Sequence, residues 1–162
     1  MRDPLSIVTA FLPIRMDAYH RRKESQLQDA TRHLYKTLQY AAFTRLVSAG
    51  EIEVRNRRRD DIVHDVTHKI TKFINEWLMQ QRSSSEVAQQ EHDPGTVDVD
   101  SLLSLPVFSL TTEALVRREK EVMSLQNSIA ELTTTSVETV WLRELAALEL
   151  ALKRTSPQKI SK

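Results

Sequence analysis

A chain of 162 residues has room for one ordinary domain but not for the large fused domains of a multifunctional catalyst. Its 23 basic and 22 acidic side chains leave a formal charge of +1, so the surface as a whole has no strong pull on nucleic acid and any DNA contact must be local. The absence of cysteine excludes disulfides, thiolate zinc sites and cysteine nucleophiles, while two glycines set against abundant Leu, Ala, Glu, Arg and Gln favour long helices over β-structure.

No apolar run approaches the ~20 residues that a spanning helix needs, and Met1-Arg2-Asp3-Pro4 lacks the order of a secretory signal. A soluble, intracellular chain with no membrane partner is expected. Asp3 followed by Pro4 is a helix start, and Ile7, Val8 and Phe11 give a short helix that Pro13 ends or kinks. From Ile14 to about Ser48 there is neither Gly nor Pro. Met16, Tyr19, Lys23, Leu27, Ala30, Leu34, Leu38 and Ala41 recur there at spacings of three and four, which predicts one face of a long helix.

Gly50 is placed as the C-terminal stop, and Glu51-Ile52-Glu53-Val54 alternates like a short strand before an Arg-rich turn. A second helix from Asp60 or Asp61 to about Gln81 carries Ile62, Val66, Ile70, Phe73 and Trp77 on one face. Residues 82–100 are polar, with three serines and Asp93-Pro94-Gly95, and predict a mobile loop.

Leu102-Leu103-Ser104-Leu105-Pro106-Val107-Phe108 is the most apolar segment, and Ser109, Thr111 and Thr112 are candidate caps for the helix after it. In that helix Leu115, Val122 and Ile129 lie seven apart, as do Arg118, Leu125 and Leu132, an a/d seam with one charged d position. The seam is short for a free-standing dimer but long enough to pack antiparallel on the first long helix. Threonines 133 to 135 break it. A last helix from about Val137 to Lys153 buries Trp141, Leu145, Leu148 and Leu152, and the tail after Arg154 frays.

The chemistry-bearing residues are sparse. Tyr19, Tyr35 and Tyr40 sit at helix-face spacings that suit packing with the hydroxyl at the rim. His64 and His68, one turn apart, could share a metal with Asp61 or Asp65, but they lie away from the apolar face and suit exposed positions. Asp98-Val99-Asp100 has no companion glutamate for a magnesium site and reads as a solvated acidic loop. Arg55, Arg57, Arg58 and Arg59 could touch a phosphate backbone, against the simpler account of an exposed turn partly neutralised by Asp60 and Asp61.

Several segments in order resemble eukaryotic DNA topoisomerase II. Ile14-Arg15-Met16-Asp17-Ala18-Tyr19-His20-Arg21-Arg22-Lys23 is similar to that family's hydrophobic-Arg-Leu-Glu-x-Tyr-x-Lys-Arg-Lys entry into its coiled-coil arm. Ala41, Phe43, Val47, Gly50, Ile52, Val54 and Asn56-Arg57-Arg58 follow its Ala-Arg-Phe, Gly-Lys-Leu-Val-Val and Asn-Arg-Lys. Leu102 to Thr111 resembles Leu-Leu-x-Met-Pro-Ile-Trp-Ser-Leu-Thr, and Trp141-Leu142-x-x-Leu145 resembles Leu-Trp-x-x-Asp-Leu. The chain departs from the family over about 65–100, at Phe108 in place of Trp, and at Ser136 in place of Pro.

The resemblance implies a mainly α fold: a long antiparallel coiled-coil arm with a small helical gate domain at its tip and a short strand-like turn. The corresponding division is residues 1–48 for a short helix and the descending arm helix, 49–110 for the tip, 111–134 for the returning helix and 135–162 for the terminal helix and tail. It implies part of an ATP-dependent type II DNA topoisomerase, a nuclear or alternatively mitochondrial isomerase, in which the arm carries the dimer gate through which the transported duplex leaves.

Leu102, Leu103, Leu105, Val107 and Phe108 would then bury apolar surface at the gate of a homodimer, either inside the tip or across the two-fold axis, with Leu105→Asp expected to shift the dimer toward monomer. Leu27, Leu34, Leu38, Leu115, Val122, Leu125, Ile129 and Leu132 would pack the arm. The family's nucleophilic tyrosine follows an arginine, whereas Tyr19, Tyr35 and Tyr40 follow Ala18, Leu34 and Gln39. Catalytic, metal-binding and ATPase residues are therefore expected outside this chain, with magnesium and ATP serving the parent enzyme, which also supplies the contact with DNA. The competing reading is a free-standing helical coiled-coil interaction protein without catalytic activity.

Overall fold

The computed structural model describes residues 3–54, 56–82 and 97–155. The chain is mainly α: α1 spans Pro4–Ser48, α2 Arg59–Arg82, α3 Val99–Leu103, α4 Thr112–Thr134 and α5 Val137–Thr155, with a 3₁₀ turn at Val107–Leu110. No strand occurs among the described residues, and no described helix is long and apolar enough to cross a membrane. The helices divide between two compact units, one of residues 1–30 and 128–162 and the other of residues 31–127.

The first helix continues through Pro13, so of the two outcomes expected there, an end or a kink, the helix does not end. A proline inside a helix removes one amide donor and crowds the carbonyl four residues back; here helix formers on both sides carry the backbone past it. All eight residues of the expected α1 stripe are buried or half-buried, from Met16 to Ala41.

In the 31–127 unit, α1 is buried on more than one face, through Leu38, Ala41, Ala42, Phe43, Thr44 and Leu46. One side joins a core with Ile62, Val66, Ile70 and Ile74 of α2 and with Val97, Val99 and Leu102 around α3. Its contacts with α4 and the 3₁₀ turn before it are antiparallel: His33 meets Glu121 at 3.5 Å, Thr44 meets Arg118 at 2.6 Å, and Ser48 donates to the Leu110 carbonyl at 3.3 Å. As the α1 number rises the partner's falls.

The end of α1 is a Schellman cap. Gly50 takes φ +73°, its amide donates to the Val47 carbonyl at 3.1 Å, and the Glu51 amide donates to the Leu46 carbonyl at 2.9 Å. The Ile52 amide also returns to Leu46, at 3.2 Å, and Ile52 is buried. The strand-like turn expected over Glu51–Val54 is a turn without strand pairing, because its first amides are spent closing the helix; Asn56, at φ 56°, then turns the chain in a conformation that Asn tolerates better than most residues.

The buried face of α2 also differs from expectation. It continues from Ile70 to Ile74, which is 1% exposed, while Phe73 and Trp77 are half-buried. Of the expected loop over 82–100, residues 83–96 lie outside the described residues, but the loop does not reach 100. Val97 and Val99 are buried, and Asp98 caps α3 by accepting from the Ser101 amide at 3.1 Å and from its hydroxyl at 2.5 Å. Burying two valines anchors this polar-looking stretch.

In the unit of residues 1–30 and 128–162, α4 stops at Thr134 and α5 restarts at Val137. Ser136 is the new N-cap, its Oγ accepting from the Thr139 amide at 3.2 Å. The Lys23 ammonium holds the break by donating to the carbonyls of Thr133 at 3.2 Å and Thr135 at 2.8 Å, positions where helix carbonyls have no partner of their own. Farther along α5, the buried Tyr19 hydroxyl donates to Glu144, and Arg22 reaches the other oxygen of that carboxylate at 2.7 Å. Trp141 lies 6.2 Å from the Tyr19 ring, and Arg15 sits over that ring at 4.9 Å.

Beyond those pins the expected burial of α5 fails. Trp141 is half-buried, but Leu145, Leu148 and Leu152 are 42%, 55% and 59% exposed. Ile7, Val8 and Phe11 at the start of α1 are more than half exposed as well. The seam periodicity persists in α5, but the described residues supply no layer to cover its outer half.

Candidate tip interface

The segment that the sequence marks as the most apolar is split in space. Leu102 is 1% exposed and belongs to the core of the 31–127 unit; Leu103, Leu105 and Leu110 pack against that core half-buried. Phe108, on the 3₁₀ turn, is 78% exposed. The Val107 side chain lies outside the described residues. Of the five expected gate residues, then, Phe108 faces solvent in the single chain and Leu102 serves the interior. Leu105→Asp would damage the unit's own packing, because Leu105 packs half-buried against its core.

The turn is fixed by local bonds. Pro106 holds an extended φ/ψ, its carbonyl accepts from the Ser109 amide at 2.8 Å and hydroxyl at 2.6 Å, and Thr111 Oγ1 accepts from the Ala114 amide to cap α4 at 3.3 Å. The charged d position of α4 completes the frame. Arg118 donates to Thr44 Oγ1 at 2.6 Å and to the Ser109 carbonyl at 2.9 Å, and lies 5.7 Å from the Tyr40 ring centre. Thr44 is fully buried and its hydroxyl also donates to the Tyr40 carbonyl at 2.8 Å, so each polar group is satisfied. Heptad counting locates Arg118 but not its partner, because a threonine inside a helix carries no such signal.

The remaining arm positions fall along the same helices: Leu34, Leu38 and Val122 are buried, and Leu27, Leu115, Leu125, Ile129 and Leu132 are half-buried. Among the arginines, Arg55 lies outside the described residues and Arg58 is exposed. Arg57 pairs with Asp65 at 2.6 Å and Arg59 with Asp100 at 2.7 Å, so two of the four expected DNA contacts spend their charge within the chain. Asp98 and Asp100 are exposed, as a solvated pair would be, but they lie at the N-cap and in the first turn of α3 rather than in a loop. His64 and His68 are exposed, and no group of three or more His, Cys, Asp or Glu converges among the described residues.

The Arg57 hydrogen bond holds the Asp65 carboxyl below the usual aspartate range, with smaller help from the charges of Arg57, Lys69 and His64. A carboxyl depressed on folding stabilises the fold above its unfolded pKa, ~3.9, and that stability is lost as pH falls through the folded value. Arg57→Gln should move the Asp65 midpoint up toward ~4 in a carboxyl NMR titration. An unmoved midpoint would mean that the pair does not hold in solution.

No protein-family profile matches the chain. It is 27% identical to DNA topoisomerase 2 of Arabidopsis thaliana over 173 residues, a stretch taking in 93% of this chain and 11% of that protein. Its identity to DNA topoisomerase 2 of Pisum sativum is 26% over 165 residues, covering 90% of the chain and 11% of the relative. For the Penicillium chrysogenum protein of the same name it is 25% over 149 residues, covering 86% and 9%. The chain thus spans about a tenth of the length of these curated relatives. Over most of its own length, this chain is similar to a stretch of DNA topoisomerase 2.

Proposed function

We propose that the chain serves as the helical arm and exit gate of an ATP-dependent type II DNA topoisomerase. The observation that carries this reading is the exposure of Phe108, 78%, on a turn framed by Pro106, Ser109 and Arg118, within the segment that resembles the family's gate-proximal motif. The antiparallel contacts of α1 with α4 support an arm of coiled-coil type. Two copies meeting through Phe108 would each gain about 2 kcal/mol from that side chain. A contact of that size holds a dimer reversibly, as a gate that must open for a duplex requires.

On this reading the cleavage tyrosine, the magnesium site and the ATPase belong to the remainder of the parent enzyme, which acts in the nucleus and contacts the DNA. The uncovered apolar ends of α1 and α5 fit a segment that packs against further protein. Sedimentation should show a concentration-dependent dimer of the 162-residue chain, and Phe108→Asp should raise its dissociation constant by more than about tenfold, because each copy would bury an unpaired carboxylate. A chain that stays monomeric at every concentration, or a Phe108→Asp variant that dimerises normally, would remove the tip from the contact.

A further inference from the structure

The two-residue break between α4 and α5 leaves a cleft of about 380 Å³ against α1, within the unit of residues 1–30 and 128–162. Thr135 and Ser136 interrupt the helical path, so the last turn of α4 and the first turns of α5 line two sides of the gap while α1 lines a third. Its apolar lining comes from Leu132, Val137, Val140 and the Tyr19 ring. A volume of this size falls in the ~300–1,000 Å³ range of small-molecule clefts, which combine mainly apolar walls with a few polar groups.

The charges around the cleft are one-sided. Arg22, Lys23 and Arg143 line it against a single lining acid, Glu131. Arg22 is already paired with Glu144, and Lys23 with the carbonyls that end α4. Arg143 is exposed and enters no described ion pair or hydrogen bond, which leaves a planar, multiply donating guanidinium at the edge of an apolar gap. We propose that this cleft binds small aromatic carboxylates, the ring body against Leu132, Val137, Val140 and Tyr19 and the carboxylate on Arg143. Arginine suits the role because two parallel N–H donors match the two oxygens of a carboxylate.

The test uses the full chain and 2-naphthoate, followed by amide chemical shifts. Saturable shifts should appear at residues 132–143 and around Tyr19, with a dissociation constant of roughly 0.1–1 mM. The neutral isostere 2-naphthamide should bind about tenfold more weakly, as should 2-naphthoate to Arg143→Gln, a change at an exposed position that leaves packing intact. Val140→Phe, which fills the gap with a larger apolar side chain, should abolish the shifts while circular dichroism stays helical. Equal affinity for the acid and the amide, shifts confined to residues 5–14 and 145–152, or no saturation below ~5 mM would each overturn the proposal.

Discussion

Ile70→Ala is expected to lower the unfolding free energy by about 2–5 kcal/mol, measured by urea denaturation. Ile70 is 0% exposed and stands between Val66 and Ile74 on α2, in the same core as Ala42, Phe43 and Leu46 of α1. Truncation removes the transfer energy of three carbons and leaves a hole that the surrounding helices close only in part. Ile70→Val should cost about 0.5–1.5 kcal/mol, because one methylene leaves a smaller void. With a whole domain stable by ~5–15 kcal/mol, the alanine variant stands near the edge of folding. A cost below ~1 kcal/mol would mean that the α1–α2 layer is not what holds this unit together.

Tyr19→Ala should have an effect of similar size in the other unit, about 3–5 kcal/mol. The Tyr19 side chain is 6% exposed; its ring lies beside Trp141 and beneath Arg15, and its hydroxyl donates to Glu144, which Arg22 also holds. The substitution removes an aromatic body and one of the holds on α5, leaving the Arg22–Glu144 ion pair and Lys23 at the helix break. Tyr19→Phe keeps the body and loses the hydroxyl's two hydrogen bonds, one donated to the partly exposed Glu144 carboxylate and a longer one accepted from Arg15 at 3.4 Å, for about 1 kcal/mol. In a Trp77→Phe background the emission of Trp141 reports on this joint: a red shift is expected for Tyr19→Ala and little change for Tyr19→Phe. Equal effects of the two variants would put the energy in the hydroxyl and contradict the packing account.

The resemblance in the tip segment was legible as a run of letters, but not the division of labour within it. Leu102 and Phe108 stand in one apolar stretch, and hydrophobicity alone makes both candidates for a contact between chains. A five-residue helix followed by a 3₁₀ turn sends Leu102 inward and Phe108 outward, an outcome that depends on where Asp98 caps and where Pro106 extends the backbone. Ile74 stands four residues past Ile70, but on hydrophobicity alone Phe73 and Trp77 compete for the same face; packing buries the straighter row of β-branched residues Val66, Ile70 and Ile74.

The sequence by itself determined that this chain is helical, where α1 ends, and one of the rows of α1 residues that turn inward. Those properties follow from the 3.6-residue period, from the scarcity of glycine, and from the left-handed backbone that Gly50 accepts at low cost. Tertiary structure decided what each buried or charged group meets: Arg118 with Thr44, Tyr19 with Glu144, Lys23 with the carbonyls that end α4, and Asp98 with the start of α3. Such partnerships join residues up to 125 positions apart. Helical periodicity fixes the direction in which a side chain points, but only the packing of one helix on another fixes which group waits there.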